Sequence, residues 1–152
     1  MPGPPAARQN RAMPDHEPSE ARRQHLEFLQ SVINRQAGNS SLVKGWSLTV
    51  AGVVYGYSLQ QHAWSAALAG ATVLVAFWWL DGFHLRQERL FRALYDQARR
   101  PDSPVELYSM DTRPYQAQAR SSWPEVLMSP TLRTLYPAGV GIGMVLAIVT
   151  AV

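Results

Sequence analysis

The stretch Gly45-Trp-Ser-Leu-Thr-Val-Ala-Gly-Val-Val-Tyr-Gly-Tyr-Ser-Leu-Gln-Gln-His-Ala-Trp-Ser-Ala-Ala-Leu-Ala-Gly-Ala-Thr-Val-Leu-Val-Ala-Phe-Trp-Trp-Leu80 contains no Asp, Glu, Lys or Arg. A run of this length accommodates two membrane-crossing helices, each of which needs about 20 apolar residues. Its one polar break, Leu59-Gln60-Gln61-His62, divides it into a segment over 42–60 and a second that starts at 63. Leu42 to Ser58 alone spans about 25 Å, so a full crossing requires Lys44 to snorkel and the helix to extend to Gln60. The pattern predicts a transmembrane helical hairpin. A buried soluble hairpin would need other apolar segments to cover both helices on all sides, and the chain has none.

Working outward, a second charge-free stretch runs from Thr134 to Val152. Ser129-Pro130 supplies an N-cap and first-turn proline for it, so a third transmembrane helix is expected over 131–152. The fold class is therefore expected to be an all-α membrane protein. The mean hydropathy of -0.15 conceals this, because it averages apolar spans with segments that hold every charge.

The remaining segments are polar. Residues 1–16 carry four of the eleven prolines and no apolar run, which predicts a disordered N-terminal tail without a secretory signal. Over 17–38, Glu17 and Glu20 crowd the start, and Leu26, Leu29, Val32 and Ile33 recur at helical spacing. An amphipathic helix is expected there, begun at Pro18-Ser19 and stopped at Gly38-Asn39, with Ser40 and Ser41 capping the next helix. Asp81 to Arg100 has strong helix formers and no proline, so the second span should continue as a cytoplasmic stem, one helix over 63–100. Gly82 is its weakest point. On the stem Phe83, Leu90, Leu94 and Ala98 form an apolar stripe with Phe91 and Tyr95 beside it, suited to a partner helix. Five prolines punctuate the connector over 101–130, which should be ordered but irregular, with an alternating run at Val105 to Met110 and a short helix near Ser122.

Charge placement gives the expected orientation. All fourteen basic residues precede the first span or lie between the second and third, and thirteen of them are Arg. The positive-inside rule then places the N-terminus and residues 81–133 in the cytoplasm, and the hairpin loop and C-terminus outside. Trp46, Trp78, Trp79 and Tyr136 would lie at the inner interface and Tyr55, Tyr57 and Trp64 near the outer one. Close helix packing is expected at Gly52 and Gly56, at Gly70, and at Gly139 and Gly143, where GxxxG or small-xxx-small spacing lets backbones approach.

Catalytic chemistry is not legible. Without cysteine there is no disulfide, thiolate site or cysteine nucleophile. His16, His25, His62 and His84 share no metal-ligand spacing. Gly139-Val-Gly-Ile-Gly143 lacks the lysine of a phosphate loop and lies in an apolar span. Lys44 and Asp81 fall at the interface, which leaves the spans without the charge of an ion relay. An enzyme is not expected, and no metal or cofactor is implied.

Three motifs carry a resemblance: Lys44-Gly45-Trp46, Phe77-Trp78-Trp79-Leu80-Asp81, and Arg86-Gln-Glu-Arg-Leu-Phe-Arg-x-Leu-Tyr-Asp96, with Met110-Asp111-Thr112-x-x-Tyr115 in the connector. Over residues 24 to 136 the chain resembles small bacterial three-span membrane proteins similar to the transmembrane effectors of nucleotide-signalled antiphage systems, the Hailong type among them. The resemblance implies a multi-pass protein of the bacterial inner membrane, a homo-oligomeric channel in antiviral defence, and a nucleotidyltransferase gene partner. Together with the charge pattern it yields one expectation: an oligomeric pore whose Arg-rich stem binds a nucleotide or oligonucleotide. The expected ligand residues are Lys44, Arg86, Arg89, Arg92, Arg99 and Arg100. Ion pairing and contact with anionic headgroups account for the same arginines. The alternative is a non-conducting membrane anchor or scaffold that recruits a cytoplasmic partner.

Overall fold

The computed structural model describes residues 20–152, so the expected tail over 1–16 and the start signals at Pro18 and Ser19 lie outside the described residues. Four α-helices follow one another: α1 (Glu20–Gln61), α2 (Trp64–Ala98), α3 (Trp123–Leu127) and α4 (Pro130–Ala151), with a 3-10 turn at Arg113–Tyr115. Two of these, α2 and α4, are long and apolar enough to cross a membrane. Helix α1 is not in that class, because glycine, serine and glutamine dilute its apolar residues between Ser40 and Gln61.

Helices α1 and α2 form an antiparallel hairpin along their whole lengths, joined by a two-residue turn. His62 adopts φ 50°, and Ser58 clamps the turn by donating its hydroxyl to the Ala63 carbonyl at 2.9 Å. Far from the turn, Arg22 reaches the Arg100 carbonyl at 3.0 Å. Between these ends the helices stay paired, with Lys44 bonded to Asp81, Gln36 to His84 and Leu29 packed with Leu94.

This pairing overturns the expected break at Gly38-Asn39. Helix α1 runs through it, and Gly38 keeps a negative φ. Two locally disfavoured residues are held helical because the residues on either side, Ile33 and Ser40, are buried. Neither serine caps a helix. Ser40 donates to Asp81, and Ser41 donates back to the Ala37 carbonyl at 3.2 Å, the pattern of a serine inside a helix.

The partner of the stem's apolar stripe is α1 itself. Leu90, Leu94 and Ala98 are buried, with Leu94 and Ala98 packed with Leu29 in a core that Leu26, Phe91, Tyr95, Val105 and Tyr115 border. Phe83 stays exposed. A second core lies where α1, α2 and α4 meet, around Ala51, Tyr55, Leu74, Leu132 and Tyr136. Tyr55 and Tyr136 thus sit inside the bundle and do not form part of an interfacial belt. Tyr55 donates its hydroxyl to the Gly139 carbonyl at 2.9 Å. A Cβ on Gly70 would meet the Tyr55 ring at 2.7 Å, and one on Gly143 would collide with the Tyr55 hydroxyl. A Cβ on Gly139 would meet Leu74 at 2.8 Å. These three glycines admit a tyrosine and a leucine between the helices. Gly52 and Gly56 meet nothing within 4 Å and take no part in this packing.

The connector folds back on α2. The alternating run at Val105 to Met110 forms no strand, and Tyr108 turns the chain with φ 64°. Helix α3 docks beside Gly82, where an added Cβ would lie 2.8 Å from Leu127. Trp123 stacks on Trp79 with centroids 4.4 Å apart, and Trp78 Nε1 donates to the Leu127 carbonyl at 3.3 Å. Helix α4 then begins at Pro130 and contains Pro137, a residue that sequence reading passed over and that leaves the Arg133 carbonyl without its usual i+4 donor.

The two glycines of opposite environment give a paired expectation. Gly38→Ala fills open space within a helix and should stabilise by about 0.5–1 kcal/mol. Gly82→Ala should destabilise, by about 1–3 kcal/mol, because Leu127 must move. Thermal unfolding of the full chain in detergent checks both signs.

Candidate functional site

Two features distinguish the bundle from a plain helical hairpin: a buried ion pair and an arginine-lined cleft. The ion pair comes first because it positions the helices. Asp81 is fully buried on α2. From α1, Lys44 Nζ lies 2.9 and 2.8 Å from its two oxygens, and Ser40 donates to Oδ1. From α4, the Tyr136 hydroxyl donates to Oδ2 at 3.0 Å. Lys44 also donates to Ser40 Oγ at 2.6 Å, and Ser47, fully buried, donates to the Lys44 carbonyl at 2.8 Å. A carboxylate removed from water is tolerated only when a counter-charge and hydrogen bonds replace its hydration. Here the two neighbouring helices, α1 and α4, supply them.

This arrangement corrects the expectation for Lys44. Its ammonium is committed to Asp81 and is not available to an exogenous anion in this conformation. The pair is also not a surface feature. Asp81 is wholly enclosed between the helices, about 25 Å along α2 from Trp64.

The arginines of α2 and of the two residues that follow it divide into separate groups. Arg86 donates Nε to the Ser121 carbonyl at 2.9 Å and lies 5.5 Å from the centre of the Trp123 ring, so it fastens the connector to α2. Arg89, Arg92 and Arg100 come together with Arg120 around an open cleft of about 730 Å³ between α2 and the connector. Arg99 lies beside it, in a smaller depression that shares Asp96 and Arg100 with the cleft. Of the six expected ligand residues, three therefore converge.

Within the cleft, Arg89 Nη1 donates to the Arg120 carbonyl at 2.9 Å, and Arg92 pairs with Glu88 at 2.7 Å. Arg120 holds the left-handed conformation, φ 45°, uncommon for a non-glycine residue, and its Nε lies 3.7 Å from Glu125 Oε1. Glu125 accepts the Ser122 hydroxyl at 2.6 Å, and that bond, helped by Arg120, holds its carboxyl below the usual range. Glu125 is therefore ionised at neutral pH and serves as a resident anion at one wall. Four arginines face two carboxylates, Asp96 and Glu125, so the cleft carries excess positive charge.

Sequence reasoning missed Arg120, Gln118 and Ser129, because they come from the connector and reach the cleft only through its fold back onto α2. It also missed the Asp81 hub. The available signal was Asp81 and Lys44 at matching distances from the hairpin turn. Among the described residues no three His, Asp or Glu side chains gather to hold a metal ion.

Breaking the hub from one side should be severe. Lys44→Met leaves a buried carboxylate unpaired and should cost about 3 kcal/mol or more, whereas the double variant Lys44→Met with Asp81→Leu should cost less than the sum of the single changes. Chemical or thermal unfolding of the three variants measures the coupling.

No family model matches the chain, and no curated protein or solved structure matches it.

Proposed function

We propose that the chain is a three-span, non-enzymatic membrane protein whose copies assemble into a pore gated by an anionic ligand at the arginine cleft. The observation that carries this reading is the outward face of α1. Gly38, Ser41, Gly45, Thr49, Gly52 and Gly56 recur at three- and four-residue steps opposite the buried face, and none of the four glycines meets another side chain. Exposed Leu42, Trp46, Leu48, Val53 and Tyr57 flank this stripe, as contact with lipid requires. The stripe itself, of small and hydroxyl-bearing residues, suits a second copy at close approach, or water.

Helix α1 fails as a span on hydropathy alone, yet its segment from Lys44 to Gln61 lies in register with the apolar part of α2. A crossing by α2 carries α1 with it. Exposed Val53, Val75, Val145, Ile148 and Val149 give the three helices an apolar outer surface along the same stretch of the bundle, as contact with acyl chains requires. The charge pattern supports a cytoplasmic cleft.

Ligand control is supported by the path of the chain. The cleft is walled by α2 and by the connector, which leads directly into α4, so an anion bridging the walls would act on the position of α4. The resemblance of the stem motif to nucleotide-signalled antiphage effectors supports an oligonucleotide or nucleotide as the ligand and antiviral defence as the setting.

Purified protein reconstituted in liposomes tests the proposal through ion flux with and without single-stranded oligonucleotides. Flux should change on ligand addition, and oligonucleotide affinity should fall by roughly three orders of magnitude per tenfold rise in salt if four arginines contact phosphates. Gly52→Leu with Gly56→Leu should reduce both assembly and flux. A monomer in detergent that is silent under every oligonucleotide contradicts the pore and leaves the anchor or scaffold.

A further inference from the structure

An open groove of about 310 Å³ lies between α1 and α2. Leu42, Val43 and Trp46 of α1 and Phe77 and Leu80 of α2 form its walls, and Asn39 and His84 stand at one end. Val43 and Leu80 immediately precede Lys44 and Asp81, so the groove sits at the level of the buried ion pair. It shares no lining residue with the arginine cleft. Its polar end faces the start of α1, and its apolar end faces the hairpin turn. On the three-span reading above, on which this inference rests, that direction runs from the cytoplasm into the bilayer. Trp46, 63 % exposed, then lies where an indole is favoured, at the boundary of headgroups and acyl chains. A groove left empty there would forfeit the dispersion contacts of every side chain that lines it.

Charge selects the occupant. Neither the stretch from Phe28 to Val43 on α1 nor that from Gly82 to Gln87 on α2 contains Asp or Glu. Of the two arginines in these stretches, Arg86 is committed to the connector. Arg35 stands four residues before Asn39, on the same side of α1 and one turn nearer the cytoplasmic end. It has no hydrogen bond or ion pair among the described residues, and the Asn39 side chain has none either. His84 Nδ1 donates to Gln36 Oε1 at 2.8 Å and ties the two helices together at this end. An apolar slot is therefore followed by an uncommitted guanidinium and amide, with no carboxylate beside them to repel an anion.

We infer that this groove seats an inner-leaflet anionic phospholipid, with an acyl chain against Leu42, Trp46, Phe77 and Leu80 and the phosphate at Arg35 and Asn39. One molecule of this class supplies both the hydrocarbon that the walls require and the negative charge that the polar end attracts. The lipid fills the seam between α1 and α2 beside the Asp81 hub, on a surface separate from the cleft.

The test reconstitutes the full chain in liposomes of equal parts phosphatidylcholine and phosphatidylglycerol, extracts it in mild detergent, and scores retained lipid by native mass spectrometry. Phosphatidylglycerol should be retained in preference to phosphatidylcholine. Arg35→Gln should cut that preference about fivefold, Arg35→Lys should keep it, and Arg89→Gln in the cleft should leave it unchanged. Leu80→Trp fills the slot and should shed both lipids. Arg35 and Leu80 are exposed, so these variants should melt with the wild type. Equal retention of the two lipids, or an undiminished preference in Arg35→Gln, overturns the seat. So does a Leu42→Cys chain that oxidises to a disulfide-linked dimer with no lipid retained, which places a second copy in the groove. Flotation and flux on the same liposomes separate the claims. Conduction without retained phosphatidylglycerol overturns the seat alone, retained lipid without conduction overturns the pore alone, and a chain that does not float with the liposomes overturns both.

Discussion

The carboxylate of Asp81 is the constraint on which the remainder of the bundle depends. It is wholly buried, and it is satisfied only if Ser40 and Lys44 of α1 and Tyr136 of α4 arrive together. A slip of one helical turn in either neighbour would leave a charge without a partner in an apolar interior, at a cost far above that of an exposed ion pair. Register between three helices is therefore set at one atom group. Tyr55 repeats the logic with a neutral group about three turns further along α1 from Lys44, where its hydroxyl bonds the Gly139 carbonyl in space that glycines leave open. Between them these two polar contacts fix rotation as well as height, which apolar packing alone specifies weakly.

The connector packs beside that bundle. The connector is attached to α2 through Arg86, Arg89 and the Trp79–Trp123 stack, mostly by bonds to its backbone carbonyls. Bonds of that kind hold a segment in place without dictating its side chains. They leave a positively charged cleft between a fixed helix and a segment that leads into α4. A ligand bound there, as proposed above, would meet one wall on α2 and another on the segment that leads into α4.

Much of this was legible in the residues, and the failures are instructive. The charge-free stretches marked α2 and α4, and the long run of helix formers past Asp81 marked the extension of α2 to Ala98. The expected stop at Gly38-Asn39 was wrong because local propensity, about 1 kcal/mol for a glycine, competes with a hairpin partner along the whole helix. Tyr55 and Tyr136 were assigned to interfacial belts by residue type, whereas the glycines opposite Tyr55 and the aspartate opposite Tyr136 place them inside. Gly70, Gly139 and Gly143 do admit close packing, but onto side chains; a Cβ on Gly52 or Gly56 would meet nothing within 4 Å. The cleft was half visible. Arg89, Arg92 and Arg100 follow from helical spacing, but Arg120 and Ser129 join them only through turns of the connector that no periodicity announces.

The central claim is that α1 enters the bilayer beside α2, with the Asp81 hub near one edge. Because the chain has no cysteine, single spin labels report on it directly. Labels at Gly52→Cys, Val73→Cys and Val145→Cys in liposomes should be accessible to oxygen and shielded from a polar nickel chelate, while Asn34→Cys and His62→Cys should show the reverse. If position 52 instead behaves like position 34, α1 lies outside the membrane, and the three-span account is contradicted.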